Sequence, residues 1–406
     1  MKFENIIIVN DFAYVQGGAD MVAIYSAIGL SKMGKHVVFF AGCGPISSEL
    51  FDAGVKVVNV NKKDILHDNN RLRAVTKGIF DNNVKKIFDE LLSQYNPNNT
   101  IIHVHTWTKA LTSAVFSVAA RKNFHIVLTL HDFFSVCPNG GFYNYKQQCI
   151  CKLKPMSIKC IGTNCDLRNY CQKLWRIIRQ LMQNSNIRKV RKLHLLAISK
   201  KVAEVVVPLF SYNDVSISYL HNPVEILNNE QVDILNNQKY LFMGRLAEEK
   251  GPRLFCQAIS QLGLKGVVIG DGYLKDSLEK EFPNIEFTGW LTGLQKYNKI
   301  KECKCFVFTS RWYETFGLVV AEMQALGVPS IVPEESAAAE QIENHKNGLL
   351  YTSGDIVSLK DAIEKFEHMD IREIQKHVLS SFKADLFSLK THVENLLSIY
   401  EKFMCD

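Results

Sequence analysis

Two glutamates eight residues apart, Glu314 and Glu322, carry the most specific chemical signal in the chain. They lie in Cys305–Pro333, CFVFTSRWYETFGLVVAEMQALGVPSIVP, which reads as a buried strand, a polar loop, a helix beginning near Phe316 and a second strand. At helical spacing, eight positions are about two turns, so both carboxylates fall near one face. A helix N-terminus at Phe316–Gly317 attracts an anion, above all a phosphate. Carboxylates beside such a site need other partners, and sugar hydroxyls suit them because they donate hydrogen bonds. The plainer alternative leaves Glu314 on a helix N-terminus and Glu322 on a solvated face. Other polar residues fall at neighbouring strand ends. Arg245 and Lys250 follow one strand in GRLAEEKG, and Gly270-Asp271-Gly272 follows the next. Arg and Lys facing a helix N-terminus make a cationic pocket for a diphosphate.

Such residues need strands that end at a common edge, and the chain has that rhythm. Apolar runs at 4–12, 36–43, 55–60, 101–106, 125–132, 195–200 and 215–224 read as strands, with helical stretches at about 70–94 and 108–121. A second series starts at 239–246 and continues through 265–272, 284–291, 303–311 and 328–333. This alternation predicts an α/β protein of two doubly wound, Rossmann-like domains, with the site in a central cleft at the carboxyl ends of the strands. Asn222–Pro223 and the polar stretch Asn228–Gln238 divide a first domain, 1–225, from a second, 226–388. Gly17 and Gly18, in YVQGGAD, let backbone N–H groups approach a phosphate or sugar. Their spacing is not G-x-G-x-x-G, which counts against an NAD enzyme.

The 406 residues, 47% hydrophobic and 22% charged, suffice for two ordinary cores. No run approaches the roughly 20 apolar residues that span a bilayer. The start, MKFENIIIVNDF, reads as a strand rather than a signal peptide, so a cytoplasmic location with mostly reduced cysteines is expected. The net charge of +7 is uneven, because nine basic and no acidic residues fall between Lys173 and Lys201. Trp175, Ile177, Ile178, Leu181 and Met182 are interleaved with them at helical spacing. Such a helix can lie on anionic lipid; the alternative is a solvated helix with one core-facing stripe. Nucleic acid is not an expected partner, since no binding motif accompanies the charge.

A cysteine-rich insertion, about 133–172, holds Cys137, Cys149, Cys151, Cys160, Cys165 and Cys171. Clustered thiolates in a reducing compartment suggest a structural zinc on Cys137, Cys151, Cys160 and Cys165, with Cys149 as a substitute for Cys151. An iron–sulfur cluster, disulfides and unligated thiols are the alternatives.

Together these features resemble the GT-B glycosyltransferases, specifically the large retaining family 4 that uses nucleotide-sugar donors. The resemblance covers nearly the whole chain. It rests most on Glu314-TFGLVVA-Glu322, supported by GRLAEEKG, IGDG and the glycine turn at 17–18. It implies that Arg245 and Lys250 bind the donor phosphates, Glu314 contacts the donor sugar and Glu322 holds the ribose. It likewise places Gly17 and Gly18 near the donor, His131 against the transferred sugar, and the last segment, 389–406, back on the first domain. The run EESAAAEQ departs from the family's glycine pair before the residue matching Glu340. His105, in HVHTW, is either a core histidine or a substrate contact.

No D-x-D triplet is present to hold a metal bridge, so no catalytic metal is expected. Arg245, Lys250 and the helix N-terminus would stabilise the leaving diphosphate instead. The resemblance therefore implies a retaining glycosyltransferase with a UDP- or GDP-linked donor. Its acceptor would be a lipid-linked oligosaccharide at the inner face of the plasma membrane, in bacterial O-antigen or capsule assembly. A nucleotide-sugar epimerase of the same fold would differ by releasing free product without an acceptor. A non-catalytic, metal-stabilised glycan-binding protein would differ by lacking turnover.

Overall fold

The computed structural model describes residues 3–210, 215–224 and 231–405. The expected domain boundary at 225–226 and the start of the linker, 228–230, lie outside the described residues. The chain divides into two α/β units. One comprises the chain up to Gly141, Leu153–Pro223 and the stretch from Leu386; the other holds Phe142–Lys152 and Val224–Asp385.

In the first unit seven parallel strands form one sheet. They are β1 (Asn5–Phe12), β2 (His36–Cys43), β3 (Lys56–Asn59), β4 (Thr100–Val104), β5 (His125–Thr129), β6 (Leu193–Ala197) and β7 (Ser216–Tyr219). The order is β3-β2-β1-β4-β5-β6-β7. Ile6, Ile7, Ile8 and Val9 are all fully buried. A continuous apolar run of this kind suits a parallel sheet covered on both faces. The helical stretch expected over 70–94 is two helices, Arg71–Lys77 and Asn82–Leu92. The Asp81 carboxylate accepts the N–H groups of Asn83 and Val84 and so starts the second. The strand expected at 195–200 ends at Ala197, because Ser199 caps the helix Lys200–Val206 through the Val202 N–H.

The first helix, α1 (Gly18–Lys32), packs against the C-terminal helix Leu389–Cys405. Val393, Leu396 and Tyr400 of the latter share a core with Ile6, Ile8 and Phe39. The cation-rich helix Tyr170–Ile187 is oriented differently from a simple solvated or lipid-facing basic face. Lys173 is fully buried and Arg179 is 8% exposed. Leu174, Ile178, Leu181 and Met182, which share one face by their spacing, are instead 39%, 53%, 57% and 39% exposed. Among the described residues no helix is long and apolar enough to cross a membrane.

The second unit has six parallel strands: β8 (Lys239–Met243), β9 (Lys265–Ile269), β10 (Glu286–Gly289), β11 (Cys303–Val307), β12 (Ser330–Pro333) and β13 (Gly348–Tyr351). Their order is β10-β9-β8-β11-β12-β13. Part of the cysteine-rich segment belongs here, as an antiparallel hairpin of Tyr143–Asn144 with Cys149–Ile150. Gln148 Oε1 accepts from Arg311 Nη1 at 2.9 Å, and the Phe142 and Tyr313 rings lie 6.3 Å apart.

Candidate functional site

At the carboxyl edge of the second sheet, the chain leaving β8 runs through Gly244–Leu246 into a short turn at Glu248–Lys250. The loop after β9 lies directly on it. A Cβ at Gly270, whose φ is 153°, would stand 1.9 Å from the Gly244 carbonyl oxygen, and one at Gly272 would stand 2.4 Å from that of Leu246. Only glycine lets these two loops run so close.

Lys250 lies against the loop after β11, where Thr309 Oγ1 donates to its carbonyl at 3.2 Å. Lys250 Nζ is 2.5 Å from Glu314 Oε1, which also accepts from Trp312 Nε1 at 2.8 Å and from the Ser310 hydroxyl. The ammonium sits over the Trp312 ring, 5.0 Å from its centroid, an added cation–π attraction. Burial pushes the Glu314 pKa up, but the Lys250 charge and the three hydrogen bonds outweigh it and hold the carboxyl below its ordinary value. Arg245 is 60% exposed at its side chain and pairs with the buried Glu249 at 3.0 Å. Glu322 pairs with Lys296 at 3.1 Å, from the helix Gly293–Ile300.

The helix expected from Phe316 is Leu318–Ala325. Gly317 is its N-cap, at φ 87°, and provides no side-chain cap. Glu314 therefore stands outside the helix, and the two-turn spacing does not relate it to Glu322; each carboxylate has its own lysine. The Phe316 side chain is buried, and its carbonyl accepts from Gln341 Nε2 at 2.8 Å, so Phe316–Gly317 can offer a ligand only backbone groups. Ser310, Trp312, Glu249, Lys296 and Gln341 are additional members of this neighbourhood. Of these, Trp312 had a sequence signal, being an aromatic in a polar loop just before Glu314.

In the first unit, Gly17 is the N-cap of α1, with extended backbone at φ −167°. A Cβ there would meet only Asp20 Oδ2, at 3.9 Å, so neither conformation nor packing demands glycine. Gly18 is the first helical residue. His131 follows β5, and its Nε2 lies 2.8 Å from His105 Nδ1. His103 sits between Thr129 Oγ1 and the Tyr400 hydroxyl, each at 2.6 Å, and His392 contacts Ser26 Oγ and the His221 carbonyl. Burial keeps all four neutral: His131 is pushed down to about 3, His392 to about 4, and His103 and His105 well below 6.5.

The unfolded chain therefore binds more protons than the folded one below pH 6.5. The contribution of these histidines is complete above that value and is lost as pH falls towards about 4. Asp20 and Asp132, raised to about 6 by burial, and Asp11, which burial also raises, act in the opposite sense but are fewer. Melting temperature should thus fall on acidification from pH 6.5, and a series of melts in matched ionic strength checks it. A profile flat from pH 7 to pH 5 would mean that these histidines are not held neutral in the fold.

Of the four cysteines expected to hold zinc, Cys137, Cys160 and Cys165 are buried and Cys151 is half-buried. Among the described residues, no group of three or more His, Cys, Asp or Glu side chains is placed to hold a metal. The buried Lys173 ammonium lies 3.1 Å from Cys165 Sγ and 3.6 Å from Cys160 Sγ. Burial would lower the Lys173 pKa, but the Cys165 contact and the nearby Cys160 and Cys137 sulfurs raise it. Cys137 is buried in the same unit, whereas Cys151 belongs to the hairpin stretch of the other unit.

Residues 226–379 match the family described as Glycosyl transferases group 1. A GDP-mannose-dependent alpha-mannosyltransferase of Mycobacterium tuberculosis is 30% identical over 162 residues, covering 39% of this chain and 42% of the relative. The chain spans less than half the length of the first curated relatives it matches. Two solved structures align along nearly their whole length. A glycosyltransferase from Rickettsia africae has a TM-score of 0.68 at 17% identity, covering 100% of this chain and 99% of that one. Anabaena HepE in complex with UDP and glucose has a TM-score of 0.65 at 16% identity, covering 98% and 99%. At such identities the likeness is one of fold: α/β with parallel sheets, shared with GT-B glycosyltransferases.

Proposed function

We propose that the protein is a retaining glycosyltransferase, similar to family 4, that moves a sugar from a UDP- or GDP-linked donor to a lipid-linked oligosaccharide in bacterial O-antigen or capsule assembly. The observation that carries this reading is the Lys250–Glu314–Trp312 cluster beside a helix whose N-cap, Gly317, supplies no side chain. The first N–H groups of such a helix are left for a ligand, and a phosphate is the anion best suited to them. In this arrangement Lys250 and Arg245 take the charge that develops on the leaving diphosphate, while the sugar acquires oxocarbenium character. Glu314, ionised and fixed by three donors, orients the sugar hydroxyls, and Glu322 takes the ribose. His131, neutral and oriented by His105, contributes a hydrogen bond rather than a charge. The mannosyltransferase relative and the UDP complex of HepE support a nucleotide-sugar donor.

Thermal shift against UDP, GDP, ADP and their sugar conjugates tests the donor. One nucleotide should raise the melting temperature by mass action, and Arg245→Ala with Lys250→Ala should abolish the rise. No shift with any of them would sink the reading. The membrane side rests on the exposed Leu174, Ile178, Leu181 and Met182, followed by exposed Arg188, Lys189 and Arg191. Flotation with anionic liposomes should carry the protein upward, and Ile178→Asp with Leu181→Asp should leave it at the bottom. Wild-type protein that stays at the bottom would remove membrane contact.

A further inference from the structure

The first unit contains a cavity of about 160 Å³ near the carboxyl ends of β4 and β5, bounded by the helices Arg71–Lys77 and Tyr170–Ile187. Its lining is unbalanced in charge. Arg71, Lys109, Arg168, Arg176 and Arg179 line it, together with Trp175 and Leu66, and no Asp or Glu does. Arg176 has its own counterion, the fully buried Asp166, at 2.6 Å. Arg179 has none within 4 Å among the described residues, although its side chain is more than nine-tenths buried.

Arg179 makes one hydrogen bond, from Nη1 to the Thr108 carbonyl at 3.3 Å. Its guanidinium is held between two rings, 5.2 Å from Trp175 and 5.1 Å from Phe134. A guanidinium carries five N–H donors, so most of its capacity is unused. Asp132 and Asp11 act on it only at longer range. A buried cation without a counterion is costly to keep, and an anionic ligand is the usual compensation. Arg71, on an exposed helix, donates only to the carbonyls of Ile65 and Leu66, at 3.4 and 3.3 Å. Lys109 reaches Gln16, next to the glycine turn, at 3.4 Å.

We propose that this cavity binds the diphosphate of a polyprenyl-diphosphate-linked acceptor, with Arg179 and Arg71 on the phosphates and Trp175 and Leu66 against the first isoprene units. The inference rests on the acceptor reading above. It assigns that acceptor a site built from the first unit alone. A free phosphate would satisfy the same cations. The exposed apolar stripe on the helix that carries Trp175 and Arg179 favours the lipid as its source.

Calorimetric titration of the full chain with farnesyl diphosphate, inorganic diphosphate and farnesol tests it. Farnesyl diphosphate should bind, with the other two weaker by about tenfold or more, as expected when charge and apolar contacts are both needed. Arg179→Gln and Arg71→Gln should each weaken it by about tenfold. Arg71 lies on an exposed helix, so its variant keeps the test open if Arg179→Gln fails to fold. Arg245→Ala should leave this binding intact. Equal affinity for inorganic diphosphate would make free phosphate the ligand and overturn the lipid assignment. Loss in Arg245→Ala but not in Arg71→Gln would put the probe in the donor site and overturn the cavity, as would no binding at all. A nucleotide shift without farnesyl diphosphate binding refutes this inference alone, whereas binding without any nucleotide shift refutes the transferase reading.

Discussion

Lys250→Ala is expected to lower sugar transfer by about 100-fold or more and to destabilise the second unit by about 3 kcal/mol at neutral pH. The first effect follows from the proposed role of Lys250, taking charge from the leaving diphosphate. The second comes from leaving the Glu314 carboxylate buried without its counterion. In the native protein Glu314 is held below its ordinary value of 4.5. Its contribution to stability is therefore present above that value and lost as pH falls through the folded pKa. Without Lys250, burial dominates and the sign reverses, so the carboxylate costs stability at neutral pH and costs less once protonated. The deficit should shrink as pH is lowered from 7 towards 5, and Glu314→Gln in the same chain should recover much of it without restoring transfer. Urea melts at the two pH values read the difference directly. A deficit independent of pH, unrelieved by Glu314→Gln, would mean that the ion pair does not hold the loop.

Gly270→Ala should cost about 3 kcal/mol or more and disturb donor binding without removing any charged group. The added carbon would fall inside contact distance of the Gly244 carbonyl, and backbone on both sides leaves no side chain to move aside. The displaced segment leads directly into Arg245. Gly263→Ala is the comparison: its φ is 66°, also left-handed, but a Cβ there meets nothing within 4 Å. That variant should lose only the conformational cost, about 1 kcal/mol. Similar losses in both would show that the approach of the two loops is unimportant. Chemical denaturation gives both numbers.

Most strands were legible because parallel, doubly covered strands are continuous apolar runs, as IIIV in β1 shows. The polar residues at their ends were legible for the same reason: once a strand is placed, the residues just after it fall at the carboxyl edge of the sheet. Pairings were not. Lys250 and Glu314 are 64 positions apart, and Lys296 and Glu322 are 26 apart, so nothing local links them. Gly317 starts the helix after Glu314, so helical spacing does not relate that carboxylate to Glu322. The helix at Tyr170–Ile187 shows a different limit. Periodicity reveals which residues share a face but not which face is inside, and Lys173 turns inward because cysteine sulfurs 8 and 13 positions earlier receive it.

The hydrogen bond between Tyr400 and His103 joins positions 297 apart, with the entire second sheet encoded between them. During synthesis, β1 to β7 leave the ribosome long before the helix that completes their core. The second unit, by contrast, has its strands and helices encoded in one continuous stretch apart from the hairpin. It can therefore fold while the first remains unfinished, with the surface around Ile6, Phe39 and His103 still open. A chain stalled before residue 389 would present a finished second unit attached to an incomplete first one, a natural target for chaperones during translation.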